Sequence, residues 1–91
     1  MAGTAVWRRV AEDDLTEAYL YIAADSQAAG DRLLDAVDEA VRFLLENPRA
    51  GRLRGFRTPR ARQVRSWSVP GFPNYLLFYR ASRGAIEIVR F

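Results

Sequence analysis

The sequence predicts a small α+β protein in which a helical hairpin packs on one side of a small antiparallel sheet. Its 91 residues are enough for one domain with one modest core. After one short strand, helical periodicity fills the first half of the chain, and strand-like apolar runs dominate the second half. Because helices and strands are segregated in this way, we expect a single domain over residues 1–91 with element order β-α-α-β-β-β.

The first strand is expected at residues 5–8, where Val6 and Trp7 favour β-structure. A helical pattern begins near Val10 and breaks at residues 25–26. Its apolar stripe at helical spacing consists of Leu15, Ala18, Tyr19 and Ile22. Ser26 is suited to cap the helix that follows, so two helices joined near this residue form a hairpin.

The second helix has the strongest pattern in the chain. Its broad apolar face is formed by Leu33, Leu34, Val37, Ala40, Val41, Leu44 and Leu45. Acidic side chains occupy the opposite, solvated side. We expect the helix to end at Asn47, because a residue that precedes proline is excluded from the α region.

Three further strands are expected in the second half, after a loop at residues 48–60 that glycine and proline punctuate. They lie at residues 62–69, 75–79 and 85–91, separated by a turn at residues 70–74 and a hairpin loop at residues 82–84.

The pairing of the last two strands decides which side chains face the helices. If Ala81 pairs with Ala85, one face combines Leu76, Phe78, Arg80, Ile86, Ile88 and Arg90, and we expect this face to pack on the helices. The other face then combines Tyr75, Leu77, Tyr79, Glu87, Val89 and Phe91, and it is the face expected to bind a partner. A β-bulge would exchange the two faces.

Composition excludes several kinds of chemistry. The chain has no Cys, no His and no Lys, since all 14 basic side chains are Arg. Disulfides, cysteine zinc sites, histidine general bases, Schiff-base lysines and Ser-His-Asp triads are therefore excluded. We expect no metal and no cofactor.

Charge is distributed unevenly along the chain. Residues 1–46 hold four Arg and ten acids, a net charge of −6, whereas residues 47–91 hold ten Arg and only Glu87, a net charge of +9. Seven arginines without an acid lie within 17 residues: Arg49, Arg52, Arg54, Arg57, Arg60, Arg62 and Arg65. Guanidinium groups bind phosphate and carboxylate in a forked manner. A nucleic acid, an acidic protein partner and a merely solvated loop all remain open as interpretations of this run.

Several short strings, in their order and spacing, resemble the ParE/RelE superfamily of toxins from bacterial toxin–antitoxin systems. They are residues 12–15 and 21–23 in the first helix, 47–52 after the second helix, and 75–80 and 86–90 in the last strands. The resemblance covers nearly the whole chain and is closer to the ParE branch. RelE-like ribonucleases use Lys or His and carry catalytic residues in a tail after the last strand, and this sequence has neither residue type.

The resemblance implies a toxin that is not itself an enzyme. Such a toxin binds DNA gyrase, stalls its cleavage cycle and is neutralised by a ParD-like antitoxin of the ribbon-helix-helix type. The other end of the antitoxin binds operator DNA, so this chain would meet DNA only through the complex. Two alternatives are a RelE-like ribonuclease that cuts mRNA on the ribosome, and a non-toxic remnant that only binds an antitoxin.

Nine residues are candidates for partner binding: Arg54, Arg57, Arg60, Arg62, Arg65, Tyr75, Tyr79, Arg80 and Arg90. The resemblance places Arg62 and Arg80 where family members commonly keep arginine. The competing interpretation of the strand arginines is cross-strand pairing with Glu87 or with acids of the helices. For Glu87 itself a salt bridge is favoured over a role as general base, and for the two tyrosines simple packing competes with stacking on a partner.

The sequence contains no apolar run of the ~20 residues that span a bilayer. The first ten residues lack the apolar region of a secretory signal. We therefore expect a cytoplasmic protein that does not enter a membrane.

Overall fold

A computed structural model describes residues 3–91 of the chain, so residues 1 and 2 of the expected domain lie outside the described part. Its elements are β1 (Thr4–Trp7), α1 (Arg9–Asp25), α2 (Gln27–Glu46), β2 (Arg52–Leu53), β3 (Arg65–Val69), β4 (Phe72–Ser82) and β5 (Ala85–Arg90). The predicted order and the α+β class are confirmed, with the two-residue strand β2 as an addition.

The helical hairpin forms where the sequence pattern placed it. The Ser26 hydroxyl accepts a hydrogen bond from the Ala29 backbone N–H at 3.1 Å, which caps α2 as expected. Asn47 ends α2, and its backbone N–H donates to the carbonyl oxygen of Phe43. Gly30 lets α1 approach closely, because a Cβ there would lie 2.9 Å from the Cβ of Ala23.

The five strands form one mixed sheet in the order β1-β5-β4-β3-β2. The expectation of a wholly antiparallel sheet fails only for β1, which runs parallel to β5. The reason is topological: the chain leaves β1 through the hairpin and the β2–β4 meander, and only then inserts β5 between β1 and β4. The first and last strands of the described chain therefore lie side by side.

The predicted pairing of β4 with β5 is wrong by one residue. Ser82 pairs with Ala85, so only Arg83 and Gly84 form the loop, and Gly84 takes the left-handed conformation with φ +62°. Between Tyr79 and Ser82 this shift of one residue turns each β4 side chain to the other face relative to β5. A bulge between Phe78 and Tyr79 adds a second irregularity.

The core lies between the helices and the inner face of the sheet. On β5, Ile86 and Ile88 are buried as predicted, but on β4 the buried residues are Leu77 and Tyr79. Further fully buried side chains are Leu33, Leu44 and Val69. Trp7 and Trp67 pack at the margin of this core. In the described part of the chain, no helix is both long and apolar enough to cross a membrane.

The strand predicted from residue 62 begins only at Arg65. Thr58 and Pro59 start a turn instead: the Thr58 carbonyl and hydroxyl oxygens both accept from the Ala61 backbone N–H. The Val64 N–H then donates to the Ala61 carbonyl oxygen, which extends the turn. Arg62 therefore lies exposed in a turn and not on a strand.

Candidate partner-binding surface

A groove of about 660 Å³ opens on the outer face of the sheet, with Val10 of the first turn of α1 at its margin. We call it the outer groove. Its apolar lining consists of Val10, Phe56, Ala61, Val64, Phe78, Val89 and Phe91. Its basic lining consists of Arg8, Arg60, Arg80 and Arg90. Apolar surface framed by arginines is the chemistry of a protein interface rather than of a water-exposed sheet.

The segment 54–64, which we call the arginine loop, forms one wall of the outer groove. Its ends are held together by a hydrogen bond from the Arg54 N–H to the Val64 carbonyl oxygen at 3.0 Å. Gly55, with φ +66°, allows the reversal that starts the loop. The Arg80 guanidinium donates to the Arg60 carbonyl oxygen at 2.8 Å, which fixes the loop to the sheet.

Arg80 is held on two sides by groups of the protein. Besides the Arg60 carbonyl, its Nη2 donates to Glu87 Oε1 at 2.6 Å, across the β4–β5 pair. The second Glu87 oxygen lies 3.7 Å from Arg8 Nε. Glu87 thus joins the ion pairs that the sequence analysis favoured, and the Arg80 side chain is only 24% exposed.

Arg90 is tied to the helical layer. Its Nε and Nη2 donate to the two carboxylate oxygens of Asp14 on α1, at 2.7 and 3.0 Å. The Phe91 backbone N–H donates to the same carboxylate at 3.1 Å. The hydrogen bond from Arg90, aided by that from Phe91, holds the pKa of Asp14 below its ordinary value against the opposing effect of burial. This contact joins α1 to the end of β5.

We expect Asp14→Asn to lower the melting temperature at pH 7 and to have a smaller effect near pH 3. The folded-state pKa of Asp14 lies below the unfolded one, so its contribution to folding stability is present above about pH 4 and is lost as pH falls through the folded pKa. Thermal unfolding at several pH values measures this. The matched control is Asp13→Asn, since Asp13 makes only an exposed pair with Arg9 at 3.9 Å. An equal loss at both pH values would contradict the assignment.

Two of the predicted partner-binding residues serve the fold instead of the surface. The Tyr79 hydroxyl donates to the Pro48 carbonyl oxygen at 2.8 Å and accepts from the Gly51 N–H at 2.9 Å. Burial raises the pKa of Tyr79, and the side chain has no exposed area. Arg65 Nη1 donates to the Gly51 carbonyl oxygen at 2.9 Å. Both side chains anchor the segment after α2 to the sheet, so we leave them out of the proposed interface.

The remaining candidates lie at the surface. Arg54, Arg57, Arg60 and Arg62 are exposed, and none of them makes an ion pair with any residue between 3 and 91. Tyr75 is half-buried and stacks on Phe91, with 5.5 Å between ring centroids. Eight of the nine candidates therefore divide into exposed loop arginines, groove arginines held by carboxylates, and anchors of the segment after α2, while Tyr75 stands apart as a half-buried aromatic residue.

Among the lining residues of the outer groove that the sequence analysis missed are Arg8, Phe56 and Phe78. Phe78 was assigned to the core because of the shifted register. Phe56 carried a usable signal, since it is the only aromatic residue within the arginine run. No feature of the sequence identifies Arg8, because Arg8 comes close to Glu87 only through the parallel pairing of β1 with β5.

Within residues 3–91, no group of three or more His, Cys, Asp or Glu side chains is arranged to hold a metal ion. The structure therefore offers no metal site to assign in this region.

Comparison with known proteins identifies a family and, among solved structures, a chain with a similar fold. The model of the family "ParE toxin of type II toxin-antitoxin system, parDE" matches residues 5–91. A chain in the solved structure of the chromosomal ParDE TA system from P. aeruginosa is 23% identical, with a TM-score of 0.71. That alignment covers 99% of this chain and 92% of that chain, and it shows that the two share a fold. No curated protein matches the sequence.

Proposed function

The chain belongs to the ParE toxin family of type II toxin–antitoxin systems, and from this premise we propose that it inhibits DNA gyrase in the cytoplasm and is neutralised by a ParD-type antitoxin. Membership of the family confirms the resemblance on which the sequence analysis relied. The gyrase target and the antitoxin contact are what the family leads us to expect. Support from this chain comes from the outer groove.

The outer groove has the chemistry that an antitoxin segment needs. Phe56, Phe78 and Val89 offer apolar contact area, and Arg60 stands exposed at the edge. An amphipathic helix or an extended segment with apolar and acidic side chains complements such a surface in both respects. We therefore propose that the C-terminal part of the antitoxin occupies the outer groove, with its acids toward the groove arginines. This combination of apolar lining and arginine border is the observation that carries the proposal.

The geometry gives no specific support to the ribonuclease alternative. Its candidates for proton transfer were Tyr75, Tyr79 and Glu87. Tyr79 is buried with its hydroxyl engaged twice, and Glu87 is in ion pairs with Arg80 and Arg8. Tyr75 packs face to face on Phe91. A role in binding rather than in bond breaking therefore agrees best with the contacts of these side chains.

We expect the purified chain to block supercoiling by DNA gyrase and to increase the amount of cleaved DNA held by the enzyme. Adding the cognate antitoxin before the gyrase should restore supercoiling. A translation extract supplied with the same chain should show no codon-specific mRNA cuts. Unchanged supercoiling together with mRNA cuts would replace the proposal by the ribonuclease alternative, and the absence of both effects would indicate a non-toxic member.

We also expect the antitoxin to raise the thermal stability of the chain. A partner that binds only the folded state adds about 2.7 kcal/mol when it is present at about 100 times its dissociation constant. The apolar lining of the outer groove should also make the isolated chain prone to association. Thermal unfolding and light scattering with and without antitoxin measure both effects. A free chain that is monomeric and as heat-stable as the complex would count against this site.

A further inference from the structure

A second groove, of about 430 Å³, lies at the β2–β3 edge of the sheet. We call it the edge groove. It shares no lining residue with the outer groove, and the polar groups that line it are Arg52, Arg54, Ser66 and Ser68. Nothing in the proposed function uses this groove.

Strand pairing brings these polar groups together. Arg52 pairs with Ser66 on β3, and the backbone N–H of Arg54 continues the ladder by donating to Val64. The Arg54 Nη1 group donates to the Ser66 hydroxyl at 3.3 Å, which turns the guanidinium toward the groove. Ser68 lies two residues after Ser66 on β3 and is exposed. Two guanidinium groups and two hydroxyl groups therefore meet in one concave site.

The electrostatics of the edge groove differ from those of the outer groove. Arg80 and Arg90 already hold carboxylates of this chain, Glu87 and Asp14. Arg52 and Arg54 are exposed, and neither forms an ion pair anywhere in the described part of the chain. The sequence from residue 47 to 86 contains no acid at all. The guanidinium groups of the edge groove are thus free to take an external anion.

We propose that the edge groove binds the phosphate backbone of a nucleic acid. Forked guanidinium donors and hydroxyl groups are the groups that proteins use to hold phosphate oxygens. A polymer is favoured over a single phosphate, because the exposed side chains of Arg49, Arg52, Arg54 and Arg57 follow one another along the chain without an intervening acid and can meet several phosphates along a strand. A peptide is disfavoured, since only three apolar residues, Ala50, Trp67 and Leu76, line this groove, against seven in the outer groove.

This proposal goes beyond the proposed function, in which DNA is reached only through the antitoxin. Here the toxin chain itself contacts the backbone, without reading the base sequence. The contact would therefore be electrostatic, dependent on salt and independent of the antitoxin.

The test measures binding of the chain alone to a short fluorescent DNA duplex, by anisotropy over a range of salt concentrations. The groove variant is Arg52→Gln with Arg54→Gln. The control is Arg32→Gln with Arg42→Gln on α2, which lowers the net charge of +3 by the same two units. We expect the groove variant to lose about tenfold or more in affinity and to lower the slope of log K against log salt by about 1.8, at ~0.9 per phosphate contact. The control should stay within about twofold.

A second variant distinguishes loss of the binding site from misfolding of the chain. Ser68→Asp places an acid in the edge groove without removing any arginine, and its exposed position leaves the core untouched. It should weaken duplex binding as well, with an unchanged melting temperature. A parallel series with single-stranded RNA identifies which nucleic acid supplies the phosphates.

Three results would overturn the proposal. Equal losses in the groove variant and the α2 control would show that only net charge matters. Absence of binding to both duplex DNA and RNA would remove the site. Weaker antitoxin binding with unchanged nucleic-acid binding would make the edge groove a protein contact. None of these results bears on gyrase inhibition, so the two proposals fail separately.

Discussion

Gly51→Ala is expected to destabilise the protein by about 2–4 kcal/mol, from overpacking together with a disrupted buried hydrogen bond. A Cβ at this position would press against the Tyr79 hydroxyl and lie 2.7 Å from Tyr79 Cε1 and 2.9 Å from the Ser66 carbonyl oxygen. None of these groups is the free end of a flexible chain, since Tyr79 is fully buried and bonded to Pro48 and Gly51. The backbone or the ring must therefore move.

A double-mutant cycle with Tyr79→Phe separates the steric effect from the hydrogen bonds. Tyr79→Phe alone should cost about 1–3 kcal/mol, because it leaves the Gly51 N–H and the Pro48 carbonyl without their partner. In that background Gly51→Ala should cost less, since the nearest atom is gone. Chemical denaturation of the four proteins measures the cycle. Tyr21→Phe is the control, because that side chain is 79% exposed. If the two substitutions changed the free energy of unfolding additively, the contact between position 51 and the Tyr79 hydroxyl would be contradicted.

The buried Tyr79 side chain also predicts that the protein loses stability at alkaline pH. Burial raises the pKa of Tyr79, so the unfolded chain ionises first. The free energy of unfolding should therefore decrease as pH rises above about 10, so the protein becomes less stable. In the Tyr79→Phe variant this part of the decrease should be absent, whereas a decrease of unchanged size would assign it to other groups.

Arg60→Glu is expected to weaken the antitoxin complex by about 10–100-fold, as expected for an interfacial charge turned against its partner. Arg60 is exposed on the wall of the outer groove, and the bond from Arg80 to its carbonyl fixes its backbone. Arg62→Glu should weaken the complex less, because Arg62 does not line the groove. The strand that would have made Arg62 the most rigid arginine begins only at Arg65.

The matched control for charge reversal is Arg32→Glu, an exposed arginine of α2 far along the chain from the arginine loop. Titration of antitoxin against the three variants at two salt concentrations separates the sites. An antitoxin in the outer groove would cover Arg60 and leave Arg62 exposed. Because exposed pairs are screened over about 8–10 Å, the Arg62→Glu effect should fade with salt more than the Arg60→Glu effect. Equal affinities for Arg60→Glu and Arg32→Glu would show that the arginine loop is only a solvated surface.

Features that depend on local chemistry could be predicted from the sequence. The cap at Ser26, the end of α2 at Asn47 and the inward side of Ile86 and Ile88 follow from neighbouring residues and short periods. The arginine run and the role of Glu87 in ion pairs follow from charge counts and types.

Features that depend on register or on distant pairing could not be predicted. A loop one residue shorter than expected exchanged Phe78 and Tyr79 between groove and core. The two residues of β2 are too few to show a period, and their pairing with β3 creates the edge groove. Arg65 and Tyr79 are held by hydrogen bonds to the segment after α2. This segment is distant from both residues in sequence, so no local pattern reveals these bonds.

The placement of β5 between β1 and β4 sets the order of events during synthesis. Thr4 pairs with Ala85, and Asp14 bonds to Arg90, 76 positions later. The helical hairpin can form early from local contacts, but the sheet closes only when β5 has left the ribosome. Until then, the side of the outer groove that Arg90 lines is not formed. The nascent chain is therefore unable to form a complete outer groove, and an antitoxin that requires it must engage after translation of residue 90.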